Sequence, residues 1–249
     1  MKPLLKMKTP HTLLFFISIL FFVTFSGNAQ EENKTAKDTI VAVKDTLKVK
    51  NNKYGLRLGI DLSRPIRTLV DTDFTGFEIM ADFRITHRFY IAMELGADKD
   101  QQNESNLTSS TKGSYAKVGF DYNFYNNWVG MNNSIVAGLR YGFSSFDQEL
   151  TSFGIYTGDS TFPGTIINET TNYSGLTAHW VEFVFGVKTE IVSNLFLSIN
   201  LQLKSKISED IPENFGNLYI PGFNKVNDYS DFGVGFGYGL SYLIPIYKK

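Results

Sequence analysis

The chain contains no cysteine among its 249 residues, so no disulfide can hold the fold and no thiol can act as nucleophile, metal ligand or lipid attachment point. Neither sign of charge dominates: 24 Lys and Arg stand against 25 Asp and Glu, a formal net charge of −1. That balance gives no global field of the kind that gathers nucleic acid, and no nucleic-acid partner is expected. Long apolar runs are scarce too. Beyond residue 30 no window approaches the ~18 consecutive apolar residues of a membrane helix. Any membrane crossing would fall to a closed sheet, because an open one strands unpaired backbone groups in lipid.

Residues 1–29 read as a secretory signal peptide. Lys2, Lys6 and Lys8 form a basic start, residues 13–25 a short apolar run, and Gly27 and Ala29 a small-residue cleavage site before Gln30. Residues 30–53 are charged and lack aromatics, with Lys37-Asp-Thr-Ile echoed by Lys44-Asp-Thr-Leu. So little hydrophobicity predicts a disordered periplasmic leader.

Residues 54–249 hold eight stretches that alternate bulky apolar residues with small or charged ones. In the clearest, residues 232–247, Phe232, Val234, Phe236, Tyr238, Leu240, Tyr242, Ile244 and Ile246 share one face while Gly233, Gly235, Gly237, Gly239 and Ser241 share the other. The remaining stretches are residues 54–62, 76–85, 89–98, 113–123, 134–143, 178–191 and 195–204. Loops at 64–74, 99–112, 144–177 and 207–231 alternate with shorter turns at 86–88, 124–133 and 192–194. The pattern predicts an all-β fold: an eight-stranded antiparallel transmembrane β-barrel of up-and-down topology, with short periplasmic turns and long extracellular loops. The longest loop, 144–177, has room for outward extensions of its flanking strands.

Bulk decides the sidedness. An eight-stranded interior is only just wide enough for side chains to fill it, so the slim face belongs inside and the greasy face outside. The slim face carries Arg57, Asp61, Glu78, Asp82, Arg84, Glu94, Asp98, Lys117, Asp121, Arg140, Glu182, Lys188, Glu190 and Lys204. Unpaired buried charges are costly, so these are expected to pair as a lumen charge network that seals the barrel. Tyr54, Phe89, Tyr122, Tyr141, Phe143, Tyr242 and Tyr247 lie near strand ends, where an interfacial girdle is expected.

Catalytic candidates are few. His87 falls in a tight turn, and His179 lies outward at the start of the sixth predicted strand beside Trp180. With Ser174 or Ser114, His179 would be the centre of an outer-leaflet lipid-modifying enzyme, but spacing fixes neither a serine nor an acid next to it. No catalytic, cofactor-binding or metal-binding residue is predicted, and the chain is not expected to be an enzyme. A small-solute pore is the other alternative.

Three segments carry a family resemblance: Asn123-Phe-Tyr-Asn-Asn-Trp-Val-Gly-Met-Asn-Asn-Ser134, Gly138-Leu-Arg-Tyr-Gly-Phe-Ser-Ser-Phe146 and Asn217-Leu-Tyr-Ile-Pro-Gly-Phe-Asn224. On these the chain resembles an uncharacterised family of outer-membrane β-barrel proteins of the Bacteroidota, and more broadly the small barrels of the OmpA and OmpX kind. The resemblance implies residence in the cell outer membrane and a structural or surface-interaction role through the extracellular loops. Implied partners are outer-membrane lipids, the barrel-assembly machinery and an unknown extracellular partner; no activity is implied.

Overall fold

Period-two alternation becomes long antiparallel strands. A computed structural model describes residues 53–104, 106–126, 132–155, 165–213, 215–227 and 229–248. The predicted signal peptide, the leader up to residue 52 and residues 127–131 of one predicted turn lie outside the described residues.

The strands are β1 (Lys53–Asp61), β2 (Phe74–Arg84), β3 (Phe89–Glu104), β4 (Leu107–Asn123), β5 (Ser134–Ile155), β6 (Thr165–Ile167), β7 (Thr171–Val192), β8 (Leu195–Glu209), β9 (Tyr219–Ile220), β10 (Asn224–Lys225) and β11 (Phe232–Lys248). Each long strand pairs antiparallel with the next, β4 with β5 and β5 with β7, and β11 returns to β1. Eight strands thus close a ring in the order β1, β2, β3, β4, β5, β7, β8, β11, with β6 a short flap on β5. All eight predicted strands are present. Among the described residues no helix is long and apolar enough to cross a membrane.

The two faces of the ring are as unlike as the sequence implies. Outward Phe77, Phe120, Phe185 and Phe236 are 50%, 48%, 49% and 66% exposed, whereas inward Glu78, Lys117, Asp121 and Glu182 are 1%, 1%, 1% and 0% exposed. The molecule is inverted relative to a water-soluble sandwich, with charge inside and grease outside.

Three expectations need correction. Residues 99–112 are not a loop: β3 and β4 stay paired up to Glu104 opposite Leu107, because Gln, Asn, Ser and Thr on both strands can pair as a two-sided polar ribbon. Residues 63–70 are not a loop either but a helix, α1 (Ser63–Val70). Pro65 lies in its first turn, where a missing N–H costs nothing, and the Asp61 carboxylate accepts the Ser63 N–H at 2.8 Å ahead of it. Tyr54 does not join an outer girdle. The β1–β11 register slips between Tyr54 and Gly55, where Gly55 lies opposite Pro245, and this bulge turns Tyr54 inward to 7% exposure. Of the other girdle candidates, Phe89 meets Tyr122 edge-on at 5.0 Å, and Tyr122 meets Phe124 at 4.7 Å.

Candidate functional site

The inner faces of β1 to β8 bring most of the predicted lumen charges into one ladder. Near the short-turn end Arg57 bonds Asp82 at 2.8 Å, its guanidinium lying over the rings of Tyr90 and Phe196. Asp82 also holds Lys188 at 2.9 Å, across the full width of the ring from β2 to β7. Lys188 continues to Asp121 at 3.2 Å, Asp121 to Arg140 at 2.7 Å, and Arg140 to Glu94 at 3.4 Å. Glu94 takes the Lys117 ammonium at 2.7 Å, which also lies 3.1 Å from Glu78 and 3.9 Å from Glu182. Glu182 in turn stands 3.9 Å from Lys204. Arg64 of α1, unforeseen from the sequence, extends the ladder from Glu78 at 3.9 Å to Asp98 at 2.6 Å. An ammonium among three carboxylates and a guanidinium shared by two show how charges this dense remain buried together.

Three members of the predicted network do different work. Asp61 accepts the N–H of Ser63 and, at 3.2 Å, that of Tyr238, tying α1 to β11. Arg84 lies over Tyr54 and Tyr90 and donates to the carbonyls of Thr86 and His87 at 3.2 and 2.7 Å. Glu190 accepts from the Asn132 amide at 2.7 Å and the Asn194 N–H at 2.8 Å, in the short turn with Asn194 at φ 67°.

The long-loop end is filled by a segment read from the sequence only as part of a loop. Residues 217–226 fold back between the strands as a hairpin of β9 and β10. Its turn, Ile220-Pro-Gly-Phe223, has Gly222 at φ +81° and a Phe223 N–H donated to the Ile220 carbonyl at 3.0 Å, the Pro-Gly turn in which only glycine fits the third position. The Tyr115 ring packs directly on that glycine. Ile220 and Phe223 join Tyr115, Phe146, Leu176, Ala178 and Trp180 in one apolar cluster. Polar bonds fasten the hairpin to the ladder: the Tyr219 hydroxyl and Gly222 N–H donate to Asp98 at 2.9 and 3.0 Å, and the Lys204 ammonium donates to the Gly222 carbonyl at 2.7 Å. The signal that could have revealed this plug is apolar density, since Leu218, Tyr219, Ile220 and Phe223 crowd an otherwise polar loop.

Two further features lie at the outer surface. β1 stops at Asp61 while β2 and β11 run on, and α1 occupies the gap, leaving a cleft of about 470 Å³ that runs from Ile66, Val70, Val234 and Phe236 on the outside to Asp61, Arg64 and Gln202 on the inner face. His179 meets neither of its candidate serines in a hydrogen bond. Its Nδ1 lies 2.8 Å from the Tyr141 hydroxyl, and its ring lies against Phe143 at 5.0 Å. Trp180 is not beside it on the outside but fully buried, donating its indole N–H to Glu182 at 3.3 Å. Among the described residues no three His, Asp or Glu side chains converge as a metal ion would require.

The chain matches no curated protein. Residues 12–249 match the model of a domain of unknown function (DUF6048), and the chain belongs to that family.

Proposed function

We propose that the protein is an outer-membrane β-barrel of a Bacteroidota bacterium, with a sealed polar lumen and a structural or surface-interaction role through its long loops. The observation that carries this reading is the inverted sidedness of the ring. A belt of half-exposed Phe, Leu, Ile and Val on every strand would be an aggregation surface in water, yet it is the surface a lipid bilayer requires. Closure of the ring supports the same reading, since every long strand is paired on both sides over part of its length and α1 covers the gap left where β1 ends. The ion-pair ladder and the hairpin plug support a sealed lumen rather than a pore. Between Gly55, Arg57, Asp82 and Arg84 at the short-turn end a cavity of about 20 Å³ has room for little more than one water.

Extracted from membranes in mild detergent, the full chain should migrate faster before boiling than after, as a closed barrel that resists unfolding does. In planar bilayers it should insert without steady current. A protein that stays in the aqueous fraction and shows no heat-dependent shift defeats the membrane reading, and sustained ion current defeats the sealed lumen. Protease added outside intact cells should cut within residues 144–177 and spare residues 31–53; the reverse pattern would invert the topology.

A further inference from the structure

From the outer surface of β2 to β5 we infer a seat for one phosphate-bearing lipid, its headgroup on Lys99 and Lys112 and an acyl chain in the groove below them. The inference rests on the membrane reading. Lys99 and Lys112 are directly opposite each other across the β3–β4 pair, both exposed on the outer face. Like charges in that position repel, and on an ordinary solvated strand pair they are avoided. An anion between them converts the repulsion into two charge-assisted contacts.

Their height on the wall identifies the anion's source. The outward row of β3 runs Phe89, Ile91, Met93, Leu95, Ala97 and then Lys99, and that of β4 runs Tyr122, Phe120, Val118, Ala116, Ser114 and then Lys112. At ~3.4 Å per residue and ~40° tilt, the rise from the Phe89–Tyr122 pair to the lysines is about 25 Å, the height of a barrel's apolar band. The lysines therefore stand where headgroup phosphates begin, opposite the aromatic end of the belt.

Directly below them the wall is depressed. A groove of about 630 Å³ runs over the outer face, with Ala97, Ser114 and Ser145 as floor and Phe77 as one bank. These floor positions face one another in register across β3, β4 and β5, so the small side chains form a continuous depression in a belt otherwise built of Phe, Leu and Val. A depression that begins at a cationic pair and occupies the uppermost level of the belt fits the first part of an acyl chain attached to a phosphate. Asp147 also borders the groove, opposite Lys112, but its carboxylate already accepts the Gly175 N–H at 3.0 Å. The two ammoniums outnumber that one outward carboxylate, since Asp98, also at the edge of the groove, is buried and paired with Arg64.

The test uses the purified full chain in a neutral detergent, with lipid retention counted by native mass spectrometry. Each sample is first checked for the heat-dependent shift, so a failure of the membrane reading is seen before any lipid is added. Dioleoyl phosphatidate should be retained at least fivefold over dioleoyl phosphatidylcholine. Lys99→Gln with Lys112→Gln should bring the two lipids to parity, and Ser114→Phe, which fills the floor but keeps both lysines, should lower phosphatidate retention severalfold. Equal retention of the two lipids by the heat-shifted wild type overturns the inference, as does an unchanged preference in the double glutamine variant or an unchanged phosphatidate retention in Ser114→Phe.

Discussion

One strand of the ring, β11, presents an inner surface unlike that of the strands across from it. From β2 through β5 to β7 the inner face carries Glu78, Asp82, Glu94, Asp98, Lys117, Asp121, Arg140, Glu182 and Lys188, while β11 carries Gly235, Gly237, Gly239 and Ser241. The difference is a division of labour in a narrow space. Long charged side chains from the other strands need somewhere to reach, and β11 leaves that room because its inner face is glycine and serine. A Cβ on Gly235 would stand 2.7 Å from the Gln202 carboxamide oxygen and 3.2 Å from the Lys204 ammonium, and one on Gly237 would stand 3.1 Å from the Asp61 carboxylate. The glycines of β11 are therefore as much part of the charge network as the charges are.

The contrast can be broken first from the charged side. Lys117→Met removes the ammonium shared by Glu78, Glu94 and Glu182 and leaves buried carboxylates without it, which should cost about 3–5 kcal/mol. The heat-dependent shift should vanish or move to a much lower temperature. If Lys117→Met matches the wild type, the ladder is not what stabilises the interior. Next comes the joint between ladder and plug. Tyr219→Phe deletes one hydrogen bond to the Asp98 carboxylate and should cost about 1.5–3 kcal/mol, with faster protease cleavage in the loop between β8 and β11. From the slim side, Gly235→Leu should push Gln202 and Lys204 aside at a cost of about 1–3 kcal/mol, loosening the Lys204 bond to the plug as well. An unperturbed Gly235→Leu would show that the space in front of β11 has spare volume.

The smallest effect lies outside the ring. Asp210 receives hydrogen bonds from the Thr177 hydroxyl and backbone N–H at 2.6 and 2.9 Å, which hold its carboxyl below the usual carboxylate range. Because the folded value is depressed, that contribution is fully present above the ordinary carboxyl range and is lost as pH falls through the lowered value. Loop cleavage by an acid-tolerant protease should rise slightly over that acidic window, and Asp210→Asn should flatten the rise.

What was legible in the sequence follows from physics of short range. Period two is a property of each strand alone, so residues such as Phe236 and Gly237 could be assigned to opposite faces without knowing their neighbours. Pair partners could not be read that way. Lys188 and Asp82 are 106 positions apart and meet only because β7 and β2 stand opposite each other in the closed ring. Tyr54 was misplaced because its own alternation is regular, and the register slip that flips it lies in the partner strand, where Ile246 is the extra residue. The plug and α1 escape the pattern for a common reason: a short helix and a buried turn carry no period-two alternation, so residues 64–74 and 207–231 read as loops. Arg64 entered the ladder unseen because a helical residue does not belong to either face of a strand.

Trp180 gives the molecule a gauge of its own. Its ring is wholly buried, 6.0 Å edge-on from Phe223 of the plug, and the chain's other tryptophan, Trp128, is not among the described residues. With Trp128→Phe in place, the emission colour of the single remaining indole would report whether the hairpin is seated: blue while Phe223 covers it, red once water reaches it. Opening of the long-loop end, by a ligand, by acid or by Tyr219→Phe, could then be followed in solution as a shift in fluorescence.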